Sequence, residues 1–341
     1  MNKSKFLIAT IPKPMNVLLT GATGLLGNNI LRLLIEQNHN VTIVTRRTSD
    51  SRATSGIQVD KVYIDLAEPD ELGKALDGID LVIHSAALIR IGWSRLDEAL
   101  RVNVDATREL ARAARLKKAR MILVSTVDTL GIADSINEPV DESGNFPNGN
   151  PACTYVVSKT KSEEAFVDQI EKGLDGIIVH PGFMVGPNDW KPSSGEMMLT
   201  VAKQFVYFAP AGGCSVVDVR DVADGVYLAA RKGNSGERYI LAGSNLSYLD
   251  LWTKMAAVTG GRTPRKVLPG WLASLAGTIG DTASRILPGA ERTVNSAAVQ
   301  MGQLNHYYTS DKAIAELGYK IGSVDDALAD AWDWFKAFDY A

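Results

Sequence analysis

Cysteine is nearly missing from this chain: Cys153 and Cys214 are the only two among 341 residues. That scarcity excludes a disulfide framework and a cysteine-rich zinc site, and a reducing cytoplasm is the expected compartment. Positive charge is not in excess either. Lys and Arg number 36 against 39 Asp and Glu, and no basic tail appears, so nucleic acid is not an expected partner. The most apolar late stretch, Trp271 to Leu287, is broken by Gly277, Gly280, Asp281 and Arg285 and is too short to span a bilayer. It reads as an amphipathic helix of a substrate lobe, with membrane contact as the alternative. A signal peptide is not expected, because two prolines follow the short apolar run near the N-terminus. Residues 1–14 read as an appended arm, and neither an internal repeat nor a low-complexity tract is evident.

What is present is a soluble-protein composition, 45% apolar and 22% charged, in a chain long enough for two lobes. "NVLLT" (16–20), "NVTIVTR" (40–46), "KVYID" (61–65), "DLVIHSA" (80–86), "ARMILVST" (119–126) and "GIIVHPG" (176–182) are strand candidates rich in Val, Ile and Leu. Between some of them lie helical stretches at 25–37, 70–76 and 94–115. Strands apolar on both faces and separated by helices predict a parallel sheet covered on both sides, so the fold class is α/β with a doubly wound sheet. A strand and a helix are expected in 214–232 and one more strand in 237–243. The nucleotide lobe is accordingly placed at 15–182 plus 214–243. A smaller, mostly helical lobe is placed at 183–213 plus 244–341.

"TGATGLLG" sets Gly21, Gly24 and Gly27 three residues apart, after a strand and before a helix. The first glycine permits a sharp turn, the second lets backbone approach a pyrophosphate, and the third lets the helix pack close to the sheet. Thr23, Leu25 and Leu26 share that turn. The second strand then ends in Thr45, Arg46 and Arg47 with no acid to accept from a ribose hydroxyl. Two guanidinium groups suit a 2′-phosphate, which favours NADP(H), with NAD(H) possible. Asp65, followed by Leu66, either bonds the adenine amino group or closes a turn.

Two Tyr-x-x-x-Lys pairs compete for a catalytic role, "YVVSK" at 155–159 and "YTSDK" at 308–312. A lysine one helical turn from a tyrosine is expected to favour phenolate and lower its pKa. Tyr155 and Lys159 open a helix after a Gly/Pro/Asn-rich loop, and Ser125 and Thr126 lie upstream at the carboxyl end of a strand, where ligands of open α/β sheets bind. Tyr308 has no such setting, and Ser310 or Asp311 as a helix cap accounts for its surroundings. Tyr155 is the catalytic candidate and Tyr308 a structural residue. Cys153 is either open to oxidation or merely a small loop residue.

From Met15 onward the chain resembles the extended short-chain dehydrogenase/reductases, the superfamily of nucleotide-sugar epimerases, sugar dehydratases and dihydroflavonol-4-reductases. The glycine turn, "HSAA" (84–87), "RVNVDATREL", "YVVSK", "HPGFMVGP" (180–187) and "VDVRDVADG" (217–225) occur in the family's order. The resemblance implies a Rossmann-type fold, with Ser85, Ala86 and Ala87 beside the nicotinamide-side ribose and Asn103 supporting a water chain to the lysine. It further implies that Pro181, Gly182, Met184 and Val185 lie near the carboxamide, that Lys159 holds the ribose hydroxyls, and that the protein is a homodimer. The active hydroxyl in the family lies four residues before a "YG" tyrosine; Leu130–Gly131 stands there, pointing to Thr126 with Ser125 as runner-up.

Val127 replaces the Asp of the dehydratase pattern and Asp128 its Glu, which counts against elimination chemistry. Asp128 then acts near the substrate or in a loop cap. Phe183, Met184, Trp93 and Trp190 offer apolar walls, with Asn188 and Ser94 as polar contacts, or else they pack the lobe. The closest likeness is to the dihydroflavonol-4-reductase-like group. The expected activity is NADP(H)-dependent hydride transfer to the carbonyl, or from the alcohol, of a small organic substrate. Tyr155 would act as acid/base, Lys159 would tune it, Thr126 would orient the oxygen and Asn103 would support the relay. A nucleotide-sugar epimerase retaining NAD is the alternative, and a non-catalytic nucleotide-sensing scaffold is the third.

Overall fold

The computed structural model describes residues 13–143, 149–286 and 295–341. The arm expected at 1–14 therefore lies, up to residue 12, outside the described residues. Seven strands form the central sheet: β1 (Asn16–Thr20), β2 (Asn40–Thr45), β3 (Asp60–Tyr63), β4 (Leu81–His84), β5 (Arg120–Val124), β6 (Gly176–Pro181) and, later in the chain, Arg238–Leu241. All pair in parallel. The helices that cover them include α1 (Leu25–Glu36), α3 (Ala106–Lys117), α4 (Thr154–Glu171) and α6 (Val219–Lys232). A short α2 (Leu96–Ala99) and a π-helical segment, Leu100–Asp105, run into α3, so the helix expected over 94–115 is not uniform.

The two-sided burial that the strand sequences require is met by the central strands, while β3, at the sheet edge, is largely exposed. On β1, Val17 and Leu19 pack with Ile30 of α1 and Val222 and Val226 of α6. Leu18, on the opposite face, packs with Leu110 of α3 and Phe166 of α4. Successive side chains of a strand point to opposite faces, so an unbroken apolar run fits only a sheet with helices on both sides. Each buried leucine here contributes about 1.5–3 kcal/mol relative to exposure.

Six further strands and five further α-helices follow in the described chain, besides a π-helical segment at Ala313–Leu317 and 3-10 helices that include Pro69–Leu76, where a helical stretch was expected. The strands and α-helices are β7 (Phe183–Val185), α5 (Gly195–Lys203), β8 (Phe208–Ala209), β9 (Gly213–Asp218), β11 (Ser244–Ser247), α7 (Tyr248–Thr259), β12 (Lys266–Val267), α8 (Gly270–Ile286), α9 (Ser296–Gly302), β13 (Asn305–His306) and α10 (Val324–Ala337). The strand at Arg238–Leu241 is β10, and the seven-stranded order is β10-β6-β5-β4-β1-β2-β3. Strand β9 departs from the expectation that 214–243 continues the nucleotide lobe. It pairs with β7, β11 and β13 in a second sheet, while α6 and β10 return to the first. Segment 183–213, placed in the mostly helical smaller lobe, holds two strands, β7 and β8, besides α5. Strands of two or three residues are too short to show a period of two, which is why sequence pattern misses them.

Candidate functional site

The strand order reverses between β1 and β4, and the crevice at such a switch point is where open α/β sheets bind ligands. Gly21 sits there with φ +80°, and a Cβ on it would come within 2.7 Å of the Ala86 nitrogen. Only glycine meets both the backbone and the space requirement. A Cβ on Gly27 would lie 2.1 Å from the Gly21 carbonyl oxygen, so α1 packs tightly on the turn. Gly24 is different: it is exposed, and an added Cβ would meet nothing closer than 3.5 Å. Internal packing does not call for glycine there, whereas close approach by an external group does. Gly24 also opens α1 without a side-chain cap and with no acid in the first turn, leaving N–H groups and the positive dipole end unanswered. That donor set fits a dinucleotide pyrophosphate. Thr23 lies partly exposed beside it, while Leu25 and Leu26 are buried in the core.

At the end of β2, Arg46 and Arg47 are exposed, and Arg47 stacks on Tyr63 with its guanidinium carbon 4.6 Å from the ring centre. The nearby acid, Asp50, is taken by Arg52 at 2.7 Å. Asp65 accepts from the Ala67 nitrogen at 3.0 Å, the turn-closing role, with Leu66 half-buried next to it. Ser85, Ala86 and Ala87 line the other side of the crevice, partly exposed. Thr20 Oγ1 holds this segment by accepting from the Ala86 nitrogen at 3.2 Å and pairing with His84 Nδ1 at 2.7 Å. Burial, and then the nearby Lys159 charge, push the His84 pKa down to about 3, so the ring is neutral.

Carboxyl-terminal to β5, Ser125 and Thr126 part company. The Ser125 hydroxyl donates inward to Glu163, which also accepts from Thr129 Oγ1 at 2.7 Å and pairs with Arg238. The Thr126 hydroxyl instead donates to Asp128 Oδ2 at 3.0 Å and hydrogen-bonds with Tyr155. Tyr155, buried in the first turn of α4, has its pKa raised by burial and then by the Asp128 carboxylate; the Thr126 bond opposes this only partly. Lys159 is 3% exposed and donates from Nζ to the Val124 carbonyl at 2.8 Å. Burial pushes its pKa down to about 8, against the pull of Glu163. The expected depression of the Tyr155 pKa by Lys159 is thus absent in this arrangement, because desolvation and Asp128 dominate.

Asn103, on the π segment, uses its side chain as a staple. Its Oδ1 accepts from the Leu88 nitrogen at 2.7 Å, and Nδ2 donates to Leu88 O at 3.1 Å and to Ser158 Oγ at 2.9 Å. Its own carbonyl accepts from Thr107 Oγ1 at 2.6 Å. Both amide hydrogens are therefore committed to holding segment 85–88 on α4.

The expected substrate residues scatter. Trp93 is exposed, with Nε1 donating to Ser296 Oγ at 2.7 Å, and the Ser94 carbonyl accepts from Thr154 Oγ1 at 3.0 Å; both stand at the entrance to α4. Phe183 and Met184 are half-buried, packing toward different cores, and Pro181 and Val185 are buried. A Cβ on Gly182 would meet Ser215 O at 2.6 Å, which is why the two sheets can join there. Asn188 donates to Asn29 Oδ1 at 3.2 Å instead of facing a ligand. Trp190 is buried against Trp334 and Phe338, at 5.0 and 4.6 Å between ring centres, so its packing role is the observed one. Tyr308 is fully buried and donates to Gly131 O at 3.1 Å, while Lys312 pairs with Glu237. Ser310 bonds both backbone atoms of Ala242 and so does not cap a helix. Cys153 is buried with its thiol pKa pushed up by burial, which removes the oxidation-prone alternative.

Sequence pattern missed His306. Its Nε2 lies 3.9 Å from Asp128 Oδ1 and 2.9 Å from Asn150 Oδ1. An amide oxygen only accepts, so Nε2 carries hydrogen. No local spacing signals a contact across more than 150 residues. Among the described residues there is no metal-ligating cluster.

The NAD dependent epimerase/dehydratase family model matches residues 17–242. The chain belongs to this family. It is an NAD(P)-dependent oxidoreductase of the extended short-chain dehydrogenase/reductase type, as the resemblance implied. Over 328 residues it is 32% identical to a Synechocystis protein bearing a dihydroflavonol 4-reductase name, covering 94% of each chain. It is 30% identical to sterol demethylase protein B of Methylococcus capsulatus over 94% of this chain and 98% of the other. Among solved structures, gox2253 superposes with a TM-score of 0.81 at 33% identity, over 95% of this chain and 98% of that one. The family's Rossmann architecture is the seven-stranded sheet described above. No described helix is long and apolar enough to cross a membrane.

Proposed function

We propose that this family member is an NADP(H)-dependent reductase of a carbonyl group on a small organic molecule, the alcohol being its substrate in the reverse direction. One observation carries this: Thr126, Tyr155 and Lys159 gather at the carboxyl end of β5, beside the crevice that Gly21 and Gly24 open. The turn at Gly24 and the N-terminus of α1 would hold the pyrophosphate, and Arg46, with Arg47 beside it, would take the 2′-phosphate. The bound nicotinamide supplies or accepts the hydride.

The chain's own groups do the rest. Burial keeps Tyr155 protonated, so its Oη has a hydrogen to donate to a carbonyl oxygen as negative charge develops there. Thr126, beside Tyr155, would turn its hydroxyl from Asp128 to share that oxygen. A cationic Lys159 lies one helical turn along and would stabilise the phenolate left after transfer. Asn103 positions the segment beside the ribose and the first turns of α4. Asp128 and His306 supply the polar end of the substrate space, suited to a hydroxyl neighbouring the carbonyl.

Tyr155→Phe tests the reading. Turnover should fall by at least about 100-fold, the usual contribution of a positioned acid, while the NADPH dissociation constant changes little. Unaltered turnover would remove the tyrosine from the mechanism. Mass analysis of nucleotide released from denatured protein adds a second check: stoichiometric NAD would replace the NADP(H) reductase with an epimerase that recycles its cofactor.

A further inference from the structure

Helix α8 presents an apolar stripe to the outside. Trp271, Leu275 and Ile279, spaced four residues apart, are 72%, 50% and 58% exposed. On a helix that spacing puts all three on one face. No charged residue occurs between Lys266 and Asp281. The polar groups among them are satisfied internally: the Ser274, Thr278 and Thr282 hydroxyls donate to the carbonyls of Gly270, Ser274 and Thr278. The outer face of α8 therefore brings few polar groups that would resist leaving water.

The chain just before α8 carries further exposed apolar side chains on the β8–β12 edge. β12 pairs with β8, and the Arg265 nitrogen donates to Tyr207 O at 3.0 Å, placing exposed Val267 next to exposed Tyr207 and Phe205. Interleaved with them are Arg262, Arg265 and Lys266, all exposed, and Arg262 stacks over Phe205. Residues 251–280 contain no acid at all, in a chain whose net charge is −3. None of these three cations forms an ion pair among the described residues. A Trp-bearing apolar stripe edged by cations, on an otherwise acidic protein, complements an anionic lipid surface.

We infer that this face, α8 with the β8–β12 edge, docks on an anionic bilayer surface, lying in the interface without crossing it. The sequence pattern favoured a lobe-packing helix; the fold instead buries the opposite side. A Cβ on Gly277 would lie 2.9 Å from the Ser296 Cα, so α8 crosses α9 closely through its inner face. Ala297 and Met301 of α9 in turn pack with Tyr155 and Cys153. A cleft of about 450 Å³ between these helices is lined by Pro151, Ala273, Gly277, Val299 and Leu304. Docking would thus bring the wall of the Tyr155 site to the membrane, whatever reaction that site performs.

The test is co-sedimentation of the full chain with phosphatidylcholine vesicles, with and without phosphatidylglycerol. Partitioning should require phosphatidylglycerol and weaken in about 0.5 M salt. Trp271→Ser/Leu275→Ser/Ile279→Ser should lower it at least about tenfold. Each of Arg262→Gln, Arg265→Gln and Lys266→Gln should lower it roughly fivefold at low ionic strength. Unchanged thermal midpoint and NADPH binding in these variants keep the readout separate from folding and from the reaction. Absence of wild-type partitioning, or partitioning that the triple variant retains, overturns the inference. So does a solution dimer lost in the triple variant without any vesicle binding, which would make the face a contact between copies.

Discussion

Lys159 is where burial and chemistry oppose each other most sharply. Its ammonium lies in the protein interior, with its pKa pushed from near 10.5 down to about 8. The unfolded chain keeps that proton up to about pH 10.5 and the folded chain releases it near 8, so between these values the unfolded state binds more protons. Stability of the ligand-free protein should therefore rise from pH 7 to about 8.5, a trend that thermal midpoints would register; at higher pH the buried Cys153, Cys214 and Tyr155, whose pKa values burial raises, pull the other way. The shift corresponds to roughly 3 kcal/mol, less about 1–2 for the lost hydrogen bond to Val124. Lys159→Met should accordingly stabilise the ligand-free protein at pH 7 by about 1 kcal/mol, flatten the rise and abolish turnover. A destabilised variant that kept the rise would show that another group carries it. The choice between Ser125 and Thr126 also belongs to this scale. Both residue types fit, and only the positions of Glu163 and Tyr155 separate them.

The turn between β1 and α1 shows how one spacing encodes two different needs. Gly21 serves the fold, because its positive φ and the approach of Ala86 leave no room for a side chain. Gly24 has no such internal need, because its backbone (φ −91°, ψ 169°) suits any residue and the space around it is open, as a close pyrophosphate contact would require. Gly24→Ala should change the unfolding free energy by less than about 1 kcal/mol yet weaken NADPH binding at least about tenfold through the crowded pyrophosphate contact. Urea unfolding and fluorescence titration together distinguish the two effects; an NADPH affinity equal to wild type would take Gly24 out of the cofactor cradle. In the helix that follows β4, apolar periodicity located the element but not its π segment. A widened turn of six residues alters the spacing too little to register, although it carries Asn103.

Across the whole molecule, β9 and the aromatic cluster decide how the second lobe is built. Every residue of β9 is buried, and it pairs with strands drawn from 183–185, 244–247 and 305–306. Trp190 joins this lobe's core from one end of the chain segment, and Trp334, Phe338 and Tyr340 join from the other, with Tyr340 Oη donating to Trp190 O at 2.8 Å. Trp190→Phe should lower stability by about 1–2 kcal/mol through lost volume and shape while leaving the Michaelis constant of any substrate within about twofold. A severalfold higher Michaelis constant at unchanged urea midpoint would return Trp190 to the substrate wall.

Local physics was enough to determine the doubly wound sheet and the glycine turn, and to set Tyr155, at the start of α4, apart from Tyr308. Each depends on contacts within a few residues or on a strand's demand for two apolar faces, and such demands are written in spacing. Tertiary structure alone decided what depends on distant segments meeting. It paired Asp128 with His306, turned Ser125 inward, buried Trp190, committed the Asn103 amide to Leu88 and Ser158, and left the Trp271 face outward. None of these has a period or a motif, because the partner sits tens to hundreds of residues away. The same is true of the pKa of Tyr155: a lysine four residues on predicts a fall, but the burial that raises it is a property of the folded whole.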